Sequence, residues 1–212
     1  NDFDLGGWLR NLVPCPARID NDANVAALGE AIAGAGRGKN PVFYATLGSG
    51  VGGGLVVDGA IYHGAPPGEI EVGHLRLDRN GTTVESRCSG WAVDRRVRKF
   101  IAEHPGSGLA RQAAGEQAPG ARLLGEALRR DDPDAKHLLA EVTEDLAFAL
   151  AHVTHLCHPE IIILGGGLSL LGPPLRDGVA GVLPRFVMRA FHPGPSVALA
   201  GLAEDAVPAG AL

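Results

Sequence analysis

A run of glycines between two strand-like segments is the feature that most limits how this chain can fold. Residues 48–54 are Gly-Ser-Gly-Val-Gly-Gly-Gly, and they join β-type segments at residues 41–47 and 55–59. A dinucleotide-binding fingerprint would open a helix here, whereas a second strand follows. The pattern predicts a hairpin whose glycine turn can place backbone N–H groups around phosphate oxygens. A plain tight hairpin explains the same residues about equally well.

The rest of the chain alternates between helical and strand-like segments, which indicates the α/β class. Further strands are predicted at residues 13–19, 161–164 and 196–200, and loops at 61–80 and 105–120. Helices are predicted at residues 23–35, 84–104, 123–130, 134–158 and 173–189. We find no internal repeat.

Composition and charge exclude several classes of protein. Apolar residues make up 45% of the 212 residues and charged residues 20%, as in folded globular chains. The formal net charge of -5 argues against a nucleic-acid surface. No apolar run is long enough to cross a membrane and no signal peptide is visible. Cys15, Cys88 and Cys157 are widely spaced, as in a reducing compartment, so we expect a cytoplasmic protein.

A polar tetrapeptide marks the junction between a predicted strand and the first predicted helix. Asn21-Asp22-Ala23-Asn24 lies there, and a lone Asn or Asp at such a place is most often an N-cap. The alternative is catalytic. A helix N-terminus keeps a carboxylate ionised, and an ionised Asp22 can accept the proton of a substrate hydroxyl during phosphoryl transfer.

A second polar group occupies the predicted loop that follows the hairpin. Residues 69–74 are Glu-Ile-Glu-Val-Gly-His, and Glu85 follows. Taken alone, Glu71 and His74 could hold a metal, bind hydroxyl groups or simply be solvated surface residues. Carboxylates and an imidazole that converge are also what a sugar requires.

Two further patterns carry less weight. Residues 34–40 resemble a phosphate-binding P-loop, but Ala33 and Asn40 break its pattern, so we reject it. His152, His155 and His158 recur every three residues near the predicted end of a helix. Histidine is favourable at that position without a metal, and no acid stands at ligand spacing, so we do not expect a metal there.

Taken in order, these motifs resemble the ROK family of sugar kinases and repressors. The resemblance rests on N-D-A-N, T-L-G-S-G-V-G-G-G, E-V-G-H, I-I-I-L-G-G-G-L-S and the closing E-D-A-V-P-A-G-A. It implies an actin-like ATPase (ribonuclease H-like) fold of two lobes, here mainly the C-terminal lobe. Residues 1–38 would be a remnant of the N-terminal lobe with its crossing helix. Residues 39–200 would form the C-terminal lobe, and residues 201–212 would return to the N-terminal one.

The resemblance also implies an activity and a set of site residues. The activity would be ATP-dependent phosphorylation of a hexose, most simply at C6, with Mg²⁺ and with Asp22 as base. The sugar would be bound by Asn21, Glu71, His74 and Glu85, and the phosphates by Gly48, Ser49, Gly50, Gly52 and Gly53. Gly165, Gly166 and Gly167 would contact adenosine. A sugar-sensing repressor and an inactive sugar-binding fragment are the alternatives, and a homodimer is compatible with the family.

The chain departs from the family pattern in two places. The family's zinc knuckle is absent, because Thr83 occupies its last cysteine position and ten residues separate His74 from Glu85. We therefore expect no structural zinc, with His74 held by hydrogen bonds and Asp78 as a candidate partner. The family's Asp-x-Gly-Gly-Thr turn is also absent, and the chain starts at Asn1 without a Met. We expect a fragment that is a poor catalyst by itself.

Overall fold

A five-stranded mixed sheet forms the centre of the protein. The computed structural model describes residues 3–13, 15–65, 70–114 and 120–212. The strands are β1 (Val42–Leu47), β2 (Val51–Val57), β3 (Ala60–Ile61), β4 (Ile161–Gly165) and β5 (Ser196–Leu199), in the order β3-β2-β1-β4-β5. β1 pairs antiparallel with β2 and parallel with β4, which in turn pairs parallel with β5. The predicted hairpin and the α/β class are confirmed.

Nine helices surround the sheet within the described ranges. They are α1 (Leu5–Leu12), α2 (Asp22–Ile32), α3 (Val84–Cys88), α4 (Gly90–Glu103), α5 (Gly108–Ala113), α6 (Gly120–Arg129), α7 (Pro133–Cys157), α8 (Pro173–Val182) and α9 (Ala206–Ala211). The long α7 begins after the N-cap Asp132 and ends at His158 in the left-handed conformation.

Alternating side chains of the central strands divide the core into two layers. Phe43 and Ile162 are fully buried on one face of the sheet, in the large cluster that includes residues of α3, α4, α7 and α8. Tyr44 and Ile163 point the other way and pack with α2 and Ala206 of α9. This period of two is the reason that neighbouring residues of a strand contribute to different layers.

A fully buried carboxylate joins α2 to the last part of the chain. Glu30 accepts hydrogen bonds from the N–H groups of Ala35 (2.8 Å), Gly201 (3.0 Å) and Leu202 (2.8 Å). A buried charge is tolerated when several donors surround it. The C-terminal segment is therefore tied to the helix that begins at Asp22.

Several predicted boundaries near the N-terminus are wrong. The described part of residues 13–19 forms no strand, and α1, which precedes it, was not predicted. The glycine turn is shorter than expected because Gly52, Gly53 and Gly54 belong to β2. The predicted loop at 61–80 contains one 3-10 turn, Val72–His74, and Glu69 lies outside the described residues.

Other differences concern helix ends. The predicted helix at 84–104 is two helices, because Ser89 is extended and its hydroxyl caps α4 by accepting the N–H of Ala92. The predicted loop at 105–120 includes α5, and residues 115–119 lie outside the described residues. The helix expected at 173–189 ends at Val182 and continues as the 3-10 turn Leu183–Arg185.

Among the helices of the described ranges, none combines the length and the apolar character that crossing a bilayer requires.

Candidate functional site

A polar cavity of about 330 Å³ opens where α2 begins, beside the turn between β1 and β2. It brings together residues from four separate parts of the sequence: the start of α2, the glycine turn, the loop before the 3-10 turn, and α3. The predicted site residues among its lining are Asn21, Asp22, Gly48, Ser49, Gly50, Gly52, Gly53, Glu71 and Glu85. The start of α2, the glycine turn, Glu71 and Glu85, which were singled out separately, therefore meet in one place.

Two adjacent residues at the start of α2 have different roles: Asn21 caps the helix, and Asp22 presents an exposed carboxylate. Asn21 is the N-cap, and its Oδ1 accepts hydrogen bonds from the N–H groups of Ala23 (2.8 Å) and Asn24 (3.4 Å). Asp22 is the first helical residue and is exposed; its Oδ1 also accepts from Ala23 (2.9 Å). Because Asn21 caps the helix, Asp22 can present its second carboxylate oxygen to the cavity.

Asp20 lies behind this pair and was missed in the sequence. Its Oδ1 accepts hydrogen bonds from the N–H of Asn21 (2.9 Å) and from Nδ2 of the buried Asn24 (3.0 Å). Its other oxygen contacts His63. The acidic run at residues 20–22 was a visible signal for Asp20, but nothing near it in the sequence points to His63.

The glycine turn is held from α3 by Glu85. The N–H of Gly48 donates to the carbonyl of Gly50 (3.0 Å), which closes the turn. Glu85 Oε2 accepts the N–H of Val51 (3.0 Å). Glu85, expected to bind sugar, therefore also supports the turn that is expected to bind phosphate.

Glu71 precedes the 3-10 turn at Val72–His74, and His74 is its last residue. Glu71 lines the cavity, whereas His74 is exposed and is not among the described residues that line it. The expected contact of Asp78 with His74 is wrong. Asp78 instead accepts the N–H groups of Asn80 (2.7 Å) and Thr82 (3.2 Å) and so closes its own turn.

A second cleft, of about 630 Å³, adjoins the cavity and shares Gly48 and Ser49 with it. Gly167 lines this cleft, while Gly165 ends β4 and is buried. Gly166 has a φ of +76°, and a Cβ there would stand 2.7 Å from the backbone of Leu47, so only glycine fits. The remaining lining residues are Leu47, Gly90, Trp91, Asp94, Arg98, Ala121 and Leu168.

The three histidines near the end of α7 have structural partners. His155 Nε2 accepts the N–H of Met188 (3.0 Å), and His158 stacks on Phe191 with ring centroids 4.0 Å apart. The rings of His152 and Phe148 form a T-shaped pair with centroids 4.8 Å apart. Across the described part of the chain, no group of three or more His, Cys, Asp or Glu side chains is arranged to hold a metal ion.

Comparison with solved structures defines the class of protein. A ROK family glucokinase from Streptomyces griseus, solved with glucose and AMPPNP, superposes with a TM-score of 0.85 at 29% identity over 98% of this chain. The ROK hexokinase from Thermus thermophilus gives 0.80 at 26% identity over 99% of this chain. The fold is that of the actin-like ATPases, as expected, and the chain corresponds to a C-terminal portion of it.

The chain belongs to the ROK family, whose sequence profile matches residues 1–212. A glucokinase from Halalkalibacterium halodurans is 31% identical over 97% of this chain, and one from Thermotoga maritima is 33% identical over 89%. This chain spans 65% and 62% of the lengths of those two relatives, and 70% of the S. griseus structure.

Proposed function

We propose that the protein acts as an ATP-dependent hexose kinase in which Asp22 accepts the proton of the C6 hydroxyl as that hydroxyl attacks the γ-phosphate. The observation that carries the proposal is the shared cavity: the exposed carboxylate of Asp22 and the glycine turn at residues 48–50 line the same space. Phosphoryl transfer needs a base beside the acceptor hydroxyl and donors around the phosphates. Asp22 would supply the base, and the backbone of the glycine turn would supply donors.

The hexose would lie between the start of α2 and the loop that carries the 3-10 turn. We assign Asn21, Glu71 and Glu85 to its hydroxyl groups, because all three line the cavity with Asp22. His74 would contact the sugar from the exposed rim, one 3-10 turn beyond Glu71. Carboxylates accept hydroxyl protons strongly, so this set favours a polyhydroxylated substrate.

The nucleotide would extend from the glycine turn into the adjoining cleft. Its phosphates would meet the backbone of Gly48, Ser49 and Gly50, with Gly52 and Gly53 continuing into β2, while Gly167, backed by Gly165 and Gly166, would face the adenosine. The carboxylates of the cavity are oxygen ligands of the type Mg²⁺ prefers, and the ion would neutralise phosphate charge.

The relatives support this proposal at the level of class. They include glucokinases and an N-acetylgalactosamine kinase from Shewanella that is 32% identical over 95% of this chain. A sugar-sensing repressor is the second candidate, favoured by a putative xylose repressor from Caldicellulosiruptor that is 27% identical over 179 residues. An inactive sugar-binding fragment is the third. The intact Asp22 and glycine turn favour the kinase, because sensing alone requires no base.

The proposal extends to the two lobes of the fold, the cellular compartment and the partners of the protein. We assign residues 1–38 and 201–212 to the N-terminal lobe, supported by the bonds of Glu30 to Gly201 and Leu202, and residues 39–200 to the C-terminal lobe. The three unpaired cysteines accord with the cytoplasm. A zinc-free site, a homodimer and the lack of nucleic-acid or membrane partners stay predictions.

A coupled ADP-release assay tests the proposal on the protein as encoded, including any sequence that precedes residue 1. A panel of hexoses and N-acetylated hexosamines is supplied with ATP and Mg²⁺, and product NMR identifies the phosphorylated hydroxyl. Turnover of one hexose with phosphate on C6 is the expected result. Calorimetric binding of a sugar without any turnover would favour the repressor or the binding fragment. Stoichiometric zinc in the purified protein would contradict the zinc-free site.

A further inference from the structure

Trp91 is a large apolar side chain left open to a cleft. It is the second residue of α4, its side chain is 66% exposed, and it lines the cleft that Gly48, Ser49 and Gly167 also line. Single exposed apolar residues are common on protein surfaces. An indole on the wall of a cleft is different, because its flat face is suited to a planar ligand.

The position of Trp91 is fixed relative to the glycine turn. The preceding residue, Gly90, donates its N–H to the carbonyl of Gly48 (2.7 Å). A Cβ on Gly90 would stand only 2.9 Å from that carbonyl oxygen, so the helix can approach this closely only with glycine. The Ser89 hydroxyl caps the same helix end. Trp91 is therefore held one residue away from the contact that joins α4 to the turn.

The same cleft is also lined by Gly167, which lies just after β4. A ligand whose phosphates lie on Gly48 and Ser49 and whose other end fills this cleft is within reach of Trp91 and Gly167, because all four residues line it. The cleft volume of about 630 Å³ is within the range of small-molecule sites.

We propose that the indole of Trp91 stacks on the purine base of the phosphate donor and makes this protein select a nucleotide over inorganic polyphosphate. The proposal rests on the proposed function, because it takes the glycine turn as the phosphate site. Aromatic side chains stack on bases because every base has a π-face. An inorganic polyphosphate has no base, so Trp91 contributes nothing to its binding.

A neighbouring hollow is the competing place for the base. It measures about 280 Å³, shares Gly167 and Leu168 with the cleft, and is lined by Leu170, Leu171 and Arg129 among others. No aromatic side chain of the described residues lines it. A base in this hollow would pack on leucine and arginine side chains and would leave the indole untouched, so fluorescence separates the two positions.

The chain offers a direct test because it has only two tryptophans, Trp8 and Trp91. Trp8 lies on α1, does not line the cleft and is 50% exposed. In a Trp8→Phe variant, titration with ADP is expected to quench the emission of Trp91, with the same Kd as calorimetry gives. Tripolyphosphate is expected to bind without quenching. The matched Trp91→Phe variant retains Trp8 and should show no response to ADP.

Affinity gives the second readout. Trp91→Ala is expected to weaken ADP binding about tenfold or more and to leave tripolyphosphate binding unchanged, whereas Trp91→Phe stays within a few-fold of wild type. Because Trp91 is exposed, both variants should fold, which circular dichroism checks. ADP binding without quenching, or an unchanged Kd in Trp91→Ala, would overturn the proposal and leave the kinase assignment standing. Absence of any nucleotide binding to the protein as encoded would overturn both.

Discussion

The Nε2 atom of His63 lies 2.6 Å from Oδ2 of Asp20, which joins the segment after β3 to the residue before the N-cap of α2. The two side chains are 30% and 12% exposed. Burial alone would raise the pKa of Asp20, but hydrogen bonds from His63, Asn24 and the N–H of Asn21 outweigh burial and lower it. The pair therefore holds the start of α2 against the chain that leads toward Glu71.

Replacing Asp20 by Asn should destabilise the fold in a pH-dependent way. At neutral pH the free energy of unfolding should fall by about 1–3 kcal/mol, because hydrogen bonds to a largely buried charge are lost. The folded pKa lies below the ordinary value of 3.8, so the stabilisation is present above that value and is lost as the pH falls through the folded pKa. Urea unfolding between pH 7 and the acid limit of the folded state measures this difference.

A variant of the partner residue and a control variant complete the Asp20 experiment. His63→Gln replaces the imidazole that contacts Asp20 and should shift the urea midpoint in the same direction. Glu204→Gln, which changes an exposed carboxylate just before α9, should leave the midpoint unchanged. A difference between wild type and Asp20→Asn that grows as the pH falls would contradict the account of this pair.

Glu30 should be the most costly acidic residue to remove. Glu30→Ala leaves the N–H groups of Ala35, Gly201 and Leu202 without their acceptor, at about 1–3 kcal/mol for each buried donor. We expect a loss of about 3 kcal/mol or more, and a smaller loss in Glu30→Gln, which keeps one acceptor oxygen. Chemical denaturation measures both. The exposed Glu204→Ala is the control, and equal effects of Glu30→Ala and Glu204→Ala would refute the prediction.

Two glycines of α8 should respond in opposite directions to the same substitution. A Cβ on Gly181 meets nothing within 4 Å, so Gly181→Ala should stabilise the protein by about 0.5–1 kcal/mol through helix propensity. A Cβ on Gly178 would stand 2.7 Å from Cγ2 of Thr143 on α7, so Gly178→Ala should destabilise it. Thermal melts compare the two variants. A higher Tm for Gly178→Ala than for Gly181→Ala would contradict the close packing of Gly178 against Thr143.

The three thiols should differ widely in reactivity. Burial, with the charge of Asp145, raises the pKa of the Cys88 thiol to about 12, and burial also raises the pKa of Cys157. Cys15 is exposed. Because the thiolate is the reactive form, a disulfide reagent at pH 8 should modify Cys15 rapidly and Cys88 only on unfolding. Cys15→Ser should abolish the fast phase; a fast phase that persists in this variant would contradict the assignment.

The elements that the sequence predicted well are those with a strong local pattern. The buried run Ile161–Gly165 and the long apolar stripe of Pro133–Cys157 are visible without any knowledge of neighbours. The break at Ser89 was missed, although Ser89-Gly90 is a dipeptide typical of turns. In the structure the break coincides with the hydrogen bond from Gly90 to Gly48, which joins distant parts of the chain. The strand predicted at 13–19 has no neighbouring strand to pair with among the described residues.

In the candidate site, too, residues in local motifs were predicted and contacts between distant residues were not. Asn21, Asp22, Glu71 and Glu85 were found because each belongs to a short motif, and the structure places them around one cavity. The pairing of Asp20 with His63 spans 43 residues and has no local signal. His74 was placed with the sugar residues by its motif, yet the 3-10 turn leaves it exposed and outside the cavity lining among the described residues.

The most direct test of the central claim compares Asp22→Asn with wild type in the protein as encoded, measuring hexose phosphorylation and hexose binding separately. We expect kcat to fall by about 10²–10⁴-fold while the calorimetric Kd for the hexose changes little, because the base acts on the proton in the transition state. Asp78→Asn, which alters a turn outside the cavity, should leave both quantities unchanged. An Asp22→Asn variant with an unchanged kcat would contradict the assignment of Asp22 as the base.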